Sequence, residues 1–253
     1  MIIVATHKEF DTSLLLDNYH PVQVGCYYSE LDFGYLKDSD NDNISYKNKN
    51  KNYCELTSLY YAWKSHLKNN NYLGLVHYRR FFVKDSLLAK FNLSSEIINH
   101  DDIEKLLNDF DVILPKKRIY PLSTVKQHYI QSHSERDLSL LREIISKQYP
   151  DYVDCFDVVM QSKTIHLYNM FIMKSDLVDD YCHWLFDVLF KLEGMIDISD
   201  YDAYQARVFG FISERLLNVW VRKNKLKVKE LYVYEPDGRR YTEKAIKYIK
   251  EYR

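Results

Sequence analysis

At 253 residues, 46% apolar and 28% charged, the chain is long enough to bury a large core, and its formal net charge of −1 excludes a polyelectrolyte. Six Gly and five Pro are too few for a disordered chain or a turn-rich all-β fold, and no apolar run approaches the ~20 residues that cross a bilayer. Four scattered cysteines (Cys26, Cys54, Cys155, Cys182) without a CxxC pair, and a first segment lacking signal-peptide order, predict a reducing, cytoplasmic location.

Ile2 to Thr6 predicts a buried first strand that ends in Thr6-His7-Lys8, and Val22 to Gly25 predicts another. Asp38 to Asn52 holds five Asn, three Asp and three Lys without an apolar period, a long polar loop of the kind that serves as a lid or binding loop. Tyr53 to Leu67 predicts a helix with Asn52 as N-cap and Leu56, Leu59, Tyr60 and Trp63 on one face. It leads into an apolar strand that ends abruptly in Gly74-Leu75-Val76-His77-Tyr78-Arg79-Arg80. Asp102 to Phe110 predicts a short helix, Asp111 to Leu114 a strand, and Pro115-Lys116-Lys117-Arg118 a second basic strand end. Helices follow over about Val125–His133, Glu135–Gln148 and Asp151–Gln161, then a strand over Leu167–Met173. Long helices over about Asp176–Leu192 and Tyr201–Asn224 and a late strand over Val228–Tyr234 complete the pattern. Strands interleaved with helices predict an α/β fold, a mixed and mainly parallel sheet in a three-layer sandwich over 1–234 with a helical C-terminal part. A basic helical tail over 235–253 follows. From Arg222 to Arg253 eleven basic residues face five acidic ones, a surplus suited to an anionic surface.

In an open α/β sheet, ligands sit outside the carboxyl ends of the strands, where His77 to Arg80 fall. Two adjacent guanidiniums offer forked donors that match phosphate oxygens; the alternative is a solvated strand end making surface ion pairs. Asp38-Ser39-Asp40 and Asp40-Asn41-Asp42 look like divalent-cation pairs, but an EF-hand is excluded because Asn43 and Lys49 stand where Gly and Glu are required. These aspartates also lie in a polar loop instead of capping a hydrophobic strand, so Mg²⁺ or Mn²⁺ binding is the disfavoured alternative. The nine histidines show no metal-ligand spacing. No Gly-rich phosphate loop or Gly-x-Ser-x-Gly elbow occurs, against P-loop kinases, Rossmann dehydrogenases and α/β hydrolases. No nucleic-acid reading motif accompanies the basic residues. Helical spacing places Arg207, Gly210, Phe211 and Glu214 on one face. A mid-helix Gly there costs about 1 kcal/mol relative to Ala, so close packing or a ligand should justify Gly210.

Together, Val4-Ala5-Thr6-His7-Lys8, Asp42-Asn43-Ile44-Ser45, Asn52-Tyr53-Cys54-Glu55-Leu56-Thr57, Gly74 to Arg80, Leu114-Pro115-Lys116-Lys117, Leu167-Tyr168-Asn169-Met170-Phe171 and Gln205 to Leu217 resemble one bacterial group. It is the capsular polysaccharide family catalogued as "domain of unknown function 4422", which includes galactofuranosyltransferases. The resemblance runs from Ile2 to about Tyr234 and implies a GT-A-like glycosyltransferase with a UDP-linked sugar donor, galactofuranose among the candidates. It further implies a lipid-linked glycan acceptor in capsule, exopolysaccharide or O-antigen assembly, at the inner face of the plasma membrane. On that scaffold Thr6, His7 and Lys8 would meet the nucleotide, and Asn52, Tyr53 and Glu55 would open a helix facing the donor's negative charge. His77 and Tyr78 occupy the place where many GT-A enzymes carry their metal-binding Asp-x-Asp. Arg79, with Arg80 or Lys116 and Lys117, would neutralise the departing diphosphate in place of a cation. Asn169 and Met170 would line the sugar pocket, and Arg207 would join the donor site. Glu214 is the first candidate for a catalytic base, with Asp42 and Asp202 behind it. The tail stripe of Tyr241, Ala245, Tyr248 and Tyr252 predicts either a peripheral contact with anionic membrane or a helix docked on the enzyme itself. The rival function is a non-catalytic carbohydrate- or nucleotide-binding module that keeps the fold.

Overall fold

A computed structural model describes residues 1–26, 29–39, 49–85 and 87–235. The strands are β1 (Ile2–Thr6), β2 (Tyr19–Gln23), β3 (Leu36–Lys37), β4 (Tyr72–His77), β5 (Phe81–Val83), β6 (Val112–Pro115), β7 (Arg118–Ile119), β8 (Thr164–Ile165), β9 (Phe171–Lys174) and β10 (Val228–Tyr234). The helices are α1 (Asn50–Tyr53), α2 (Leu56–Ser65), α3 (Leu93–Glu96), α4 (His100–Asp109), α5 (Val125–Ile130), α6 (Glu135–Gln148), α7 (Val153–Gln161), α8 (Ser175–Glu193) and α9 (Val208–Lys223).

Eight strands form one sheet in the order β3-β2-β1-β4-β9-β6-β10-β5. β3, β2, β1 and β4 run parallel, β9 is antiparallel to both β4 and β6, β10 is parallel to β6, and β5 is an antiparallel edge. The sheet is therefore mixed and mainly parallel, as its interleaved pattern predicts. β7 and β8 pair in a small ribbon of their own.

Alternate residues of each strand feed two cores. Ile3, Ala5, Leu73, Leu75, Val112, Leu114, Phe171 and Met173 pack with α2 and α5–α9 on one face. Ile2, Val4, Tyr72, Val76, Ile113 and Ile172 pack with Ile103 and Leu107 of α4 on the other. A sheet covered on both faces needs apolar residues at every position of its inner strands, which accounts for the unbroken burial of β1. At Gly74 of β4 a Cβ would lie 2.6 Å from Ile2 Cδ1 and 2.8 Å from Ile172 Cγ1, so glycine is what lets the two neighbouring strands close.

Four boundaries differ from the sequence reading. The expected 53–67 helix is two helices broken at Cys54, whose φ of 54° is left-handed. Asn52 lies inside α1 and its amide donates to the Ala206 carbonyl (2.7 Å) instead of capping a helix. The expected 167–173 strand begins only at Phe171, because Tyr168 (φ 77°) and Asn169 (φ 53°) turn the chain first. The 201–224 helix begins at Val208, since Asp202 Oδ1 accepts the Tyr204 and Gln205 N–H groups (2.8 Å each) and holds a separate turn. The second strand covers Tyr19–Gln23 and stops short of Gly25. No helix among the described residues is long and apolar enough to cross a membrane. The tail expected over 235–253 lies outside the described residues from 236 onward, as do Asp40 and Asp42.

Candidate active site

The carboxyl ends of β1, β2, β4 and β6 share one edge of the sheet, the ligand-binding edge of open α/β folds. At β1 the Thr6 hydroxyl accepts the Lys8 N–H (3.1 Å) and fixes the turn that projects His7 and Lys8. At β4 the chain reverses within two residues, the Arg80 N–H donating to the His77 carbonyl (2.9 Å), so Tyr78 and Arg79 form the tip. Tyr78 packs edge-on to His7 (5.4 Å) and against Phe10 (5.8 Å), and the Arg79 guanidinium lies 4.9 Å over its ring.

The His7 imidazole is held below its ordinary pKa by partial burial and then by the charges of Lys8, Arg79 and Arg207. Charges from three distant segments thus act on one imidazole. Arg207 arrives because α9 begins beside the α1–α2 break: its Nε donates to Cys54 Sγ (3.2 Å). Gly210, one turn further on, would set a Cβ 3.1 Å from the same sulfur, so close packing is what its glycine serves. Burial, with the nearby Glu55 charge, pushes the Cys54 thiol up to about 12 against the opposing pull of Arg207. It is a packing group and not a nucleophile.

Beyond β4 the floor of the site is the Tyr168–Asn169 turn. Two consecutive left-handed residues, one of them Tyr, cost free energy and persist only where surroundings over-determine them. The surroundings here do so. The Asn169 amide donates to Glu55 Oε1 (2.6 Å) and to the Gly210 carbonyl (3.0 Å), and its oxygen accepts from Ser213 (2.8 Å). The Tyr168 N–H donates to Glu214 Oε1 (2.9 Å), and the His77 ring nitrogen donates to the Tyr168 carbonyl (2.7 Å). Burial is the main reason the His77 ring titrates low; the Glu55 charge opposes it.

The two carboxylates differ in kind. Glu214 gives one oxygen to Tyr168 and the other to Arg215 (2.8 Å), whose side chain is 5% exposed. Burial, joined by the Glu55 charge, raises the Glu214 pKa despite Arg215. Glu55, at the start of α2, is half-buried and gives one oxygen to Asn169. Its charge reaches His77, Cys54, Arg207 and Glu214. It sits at the centre of the group.

Several expected donor residues stand elsewhere. Tyr53 is fully buried, stacked on Phe209 (4.5 Å) with its hydroxyl donating to Glu193 (3.1 Å), and Met170 is sealed in the α4-side core. Both support the site from beneath. The second guanidinium of the pair, Arg80, is ion-paired with Glu235 and lies 4.3 Å over the Tyr168 ring. Lys116 lies 3.6 Å over the Tyr232 ring, and Lys117 pairs with Glu230 (3.6 Å), which also meets His166 (3.0 Å). Lys116 and Lys117 thus stand apart from Arg79, because β9 separates β4 from the β6 turn along the edge. Asp202 is engaged in its own turn. Ser213 and Arg215 fall within the Gln205–Leu217 motif without a role of their own there, and Glu235 lies outside every motif, since each acquires its partner only through the fold.

The donor set does not fit a divalent cation among the described residues. Asp38 accepts the Gly25 N–H (2.8 Å), the Cys26 N–H (3.3 Å) and the Thr57 hydroxyl (2.7 Å), and no three His, Cys, Asp or Glu side chains group as metal ligands. A cavity of about 280 Å³ lies at the opposite edge of the sheet, lined by Asn18, His20, Tyr72 and His100. It sits at the amino ends of the strands, away from the converging charges.

The family model described as "Domain of unknown function (DUF4422)" matches residues 1–225. No curated protein is similar enough to match the chain. The solved apo structure of the WbbM bifunctional glycosyltransferase is 30% identical, with a TM-score of 0.80 over 93% of this chain. The chain spans 45% of that protein's length. The likeness bears out the expected glycosyltransferase-type α/β fold.

Proposed function

The chain belongs to the DUF4422 family, and from that premise we propose that it is a glycosyltransferase taking a sugar from a nucleotide diphosphate donor. The observation that carries the proposal is geometric: at the carboxyl ends of β1 and β4, His7 packs on Tyr78, over whose ring the Arg79 guanidinium lies, and Arg207 is hydrogen-bonded to Cys54, the residue before Glu55. Such a cluster complements a diphosphate, whose negative charge grows as the bond to the sugar breaks. The acceptor hydroxyl gives its proton to Glu55, its oxygen bonds to the anomeric carbon, and the electron pair of the broken C–O bond leaves with the diphosphate. Positioned acid–base groups of this kind contribute about 10²–10⁴-fold. Asn169 holds Glu55 in place, and Glu214 holds the turn that presents Asn169. The finer parts of the proposal are a UDP donor, galactofuranose among its sugars, and a lipid-linked surface-glycan acceptor at the inner membrane face. The family resemblance supports them; the WbbM likeness supports glycosyl transfer in general.

The test is a thermal-shift and turnover screen of UDP-, GDP- and TDP-sugars, run with Mg²⁺ and Mn²⁺ and in parallel with EDTA. A true donor raises the melting temperature and is turned over, and Arg79→Ala abolishes most of both while its own melting temperature stays at the wild-type value. Donor binding without turnover supports the non-catalytic module instead. Wild-type turnover by Arg79→Ala overturns the leaving-group role.

A further inference from the structure

Beside the cationic cluster, where the chain enters α9, an aromatic shelf stands half in water. Tyr204 is 51% exposed. The His133 ring stacks nearly parallel to it (5.4 Å, 16°), and Phe211 packs against both, 4.3 Å from His133 and 5.1 Å from Tyr204. The shelf is rigidly held. Asp202 fixes the Tyr204 and Gln205 N–H groups, Gln205 Oε1 accepts from His133 Nδ1 (3.0 Å), and the Gln205 amide donates to the Ser132 carbonyl. An exposed tyrosine held between the turn after α5 and the first turn of α9 loses little further entropy on binding.

Its neighbour supplies the direction. Arg207 lies 5.3 Å over the Phe211 ring and feels the Tyr204 hydroxyl, while its charge also reaches His7. One guanidinium therefore joins the shelf to the diphosphate cluster. We infer that the shelf is a saccharide-binding subsite: the C–H face of a pyranose lies on Tyr204, and its hydroxyls reach Arg207 and Gln205. Flat, rigid, amphipathic rings suit a ligand with one apolar face and a polar rim. Naming that ring the acceptor's rests on the transferase reading; the binding itself does not.

Saturation-transfer NMR on the whole chain tests the inference, with methyl β-D-galactopyranoside, β-D-glucopyranoside and α-D-mannopyranoside as probes. Expected is transfer to the ring C–H protons of at least one glycoside, lost or weakened at least tenfold in Tyr204→Ala and restored in Tyr204→Trp. The donor-induced thermal shift stays unchanged in both variants, and the melting temperature of Tyr204→Ala falls by no more than the few degrees that two lost aromatic contacts account for. Binding of no probe by the wild type, or equal binding by Tyr204→Ala, overturns the subsite. Sugar binding that depends on Tyr204, in a protein that no nucleotide sugar stabilises, keeps the subsite and removes the transferase reading.

Discussion

Replacing Glu214 and Glu55 by Gln in turn separates the two carboxylates. In Glu214→Gln the amide oxygen still accepts the Tyr168 N–H, but an NH₂ group faces Arg215, which is 5% exposed and whose Nε already has no partner. The charge-assisted bond lost is worth about 1.5–3 kcal/mol, and removing one partner of a buried ion pair costs about 3–5 kcal/mol. With one acceptor retained, we expect about 2–4 kcal/mol. At about 2–4 °C per kcal/mol for a chain of this size, the melting temperature falls by roughly 5–15 °C. On the proposed assignment, in which Glu214 positions the turn and Glu55 takes the proton, transfer assayed well below that midpoint drops by no more than about tenfold. Glu55→Gln keeps its Asn169 contact and its melting temperature within about 2 °C, yet loses about 10²–10⁴ in kcat. A Glu214→Gln protein that melts like the wild type and has lost a hundredfold or more in kcat refutes this assignment and makes Glu214 the base.

Gly74→Ala drives a methyl group into Ile2, Ile172 and the Phe171 carbonyl, 3.1 Å away; overpacking of about 1–3 kcal/mol lowers the midpoint in urea without changing the slope, and an unchanged midpoint contradicts the strand spacing. His128 is held at about 4 by burial first, and then by Arg215, Arg118 and His133. The unfolded chain takes up this proton below pH 6.5 and the fold refuses it, so its stability contribution is complete above pH 6.5 and drains as pH falls toward 4. His128→Phe keeps the stack on Tyr120 (4.0 Å, 13°) and has no proton to take, so its melting temperature falls less between pH 7 and 4.5 than the wild type's; equal falls refute the assignment.

Much of the molecule is legible without coordinates, because periodicity is local. The unbroken apolar run Ile2–Ala5 needs no partner to declare a strand buried on both faces, and Ser175–Glu193 shows its helical stripe within its own residues. Basic groups at the ends of β1 and β4 are visible for the same reason: the strand fixes where its last side chain falls. Partnerships are another matter. Arg79 and Arg80 are adjacent and chemically identical, yet Arg80 is ion-paired with Glu235, 155 positions away, while Arg79 lies over Tyr78 at the β4 tip beside His7.

The composition and spacing of this chain determined a layered α/β domain with cations along one sheet edge. Only the tertiary structure decided that Arg80 pairs with Glu235, that Cys54 and the Tyr168–Asn169 turn adopt left-handed backbones, and that Glu214 accepts from Tyr168 while Glu55 accepts from Asn169. Propensity is set by near neighbours along the chain, whereas charge pairing and backbone strain are settled by groups that meet only once the sheet and α9 have packed. A left-handed tyrosine is unfavourable alone and becomes the ground state when Glu214, His77 and Arg80 all hold it.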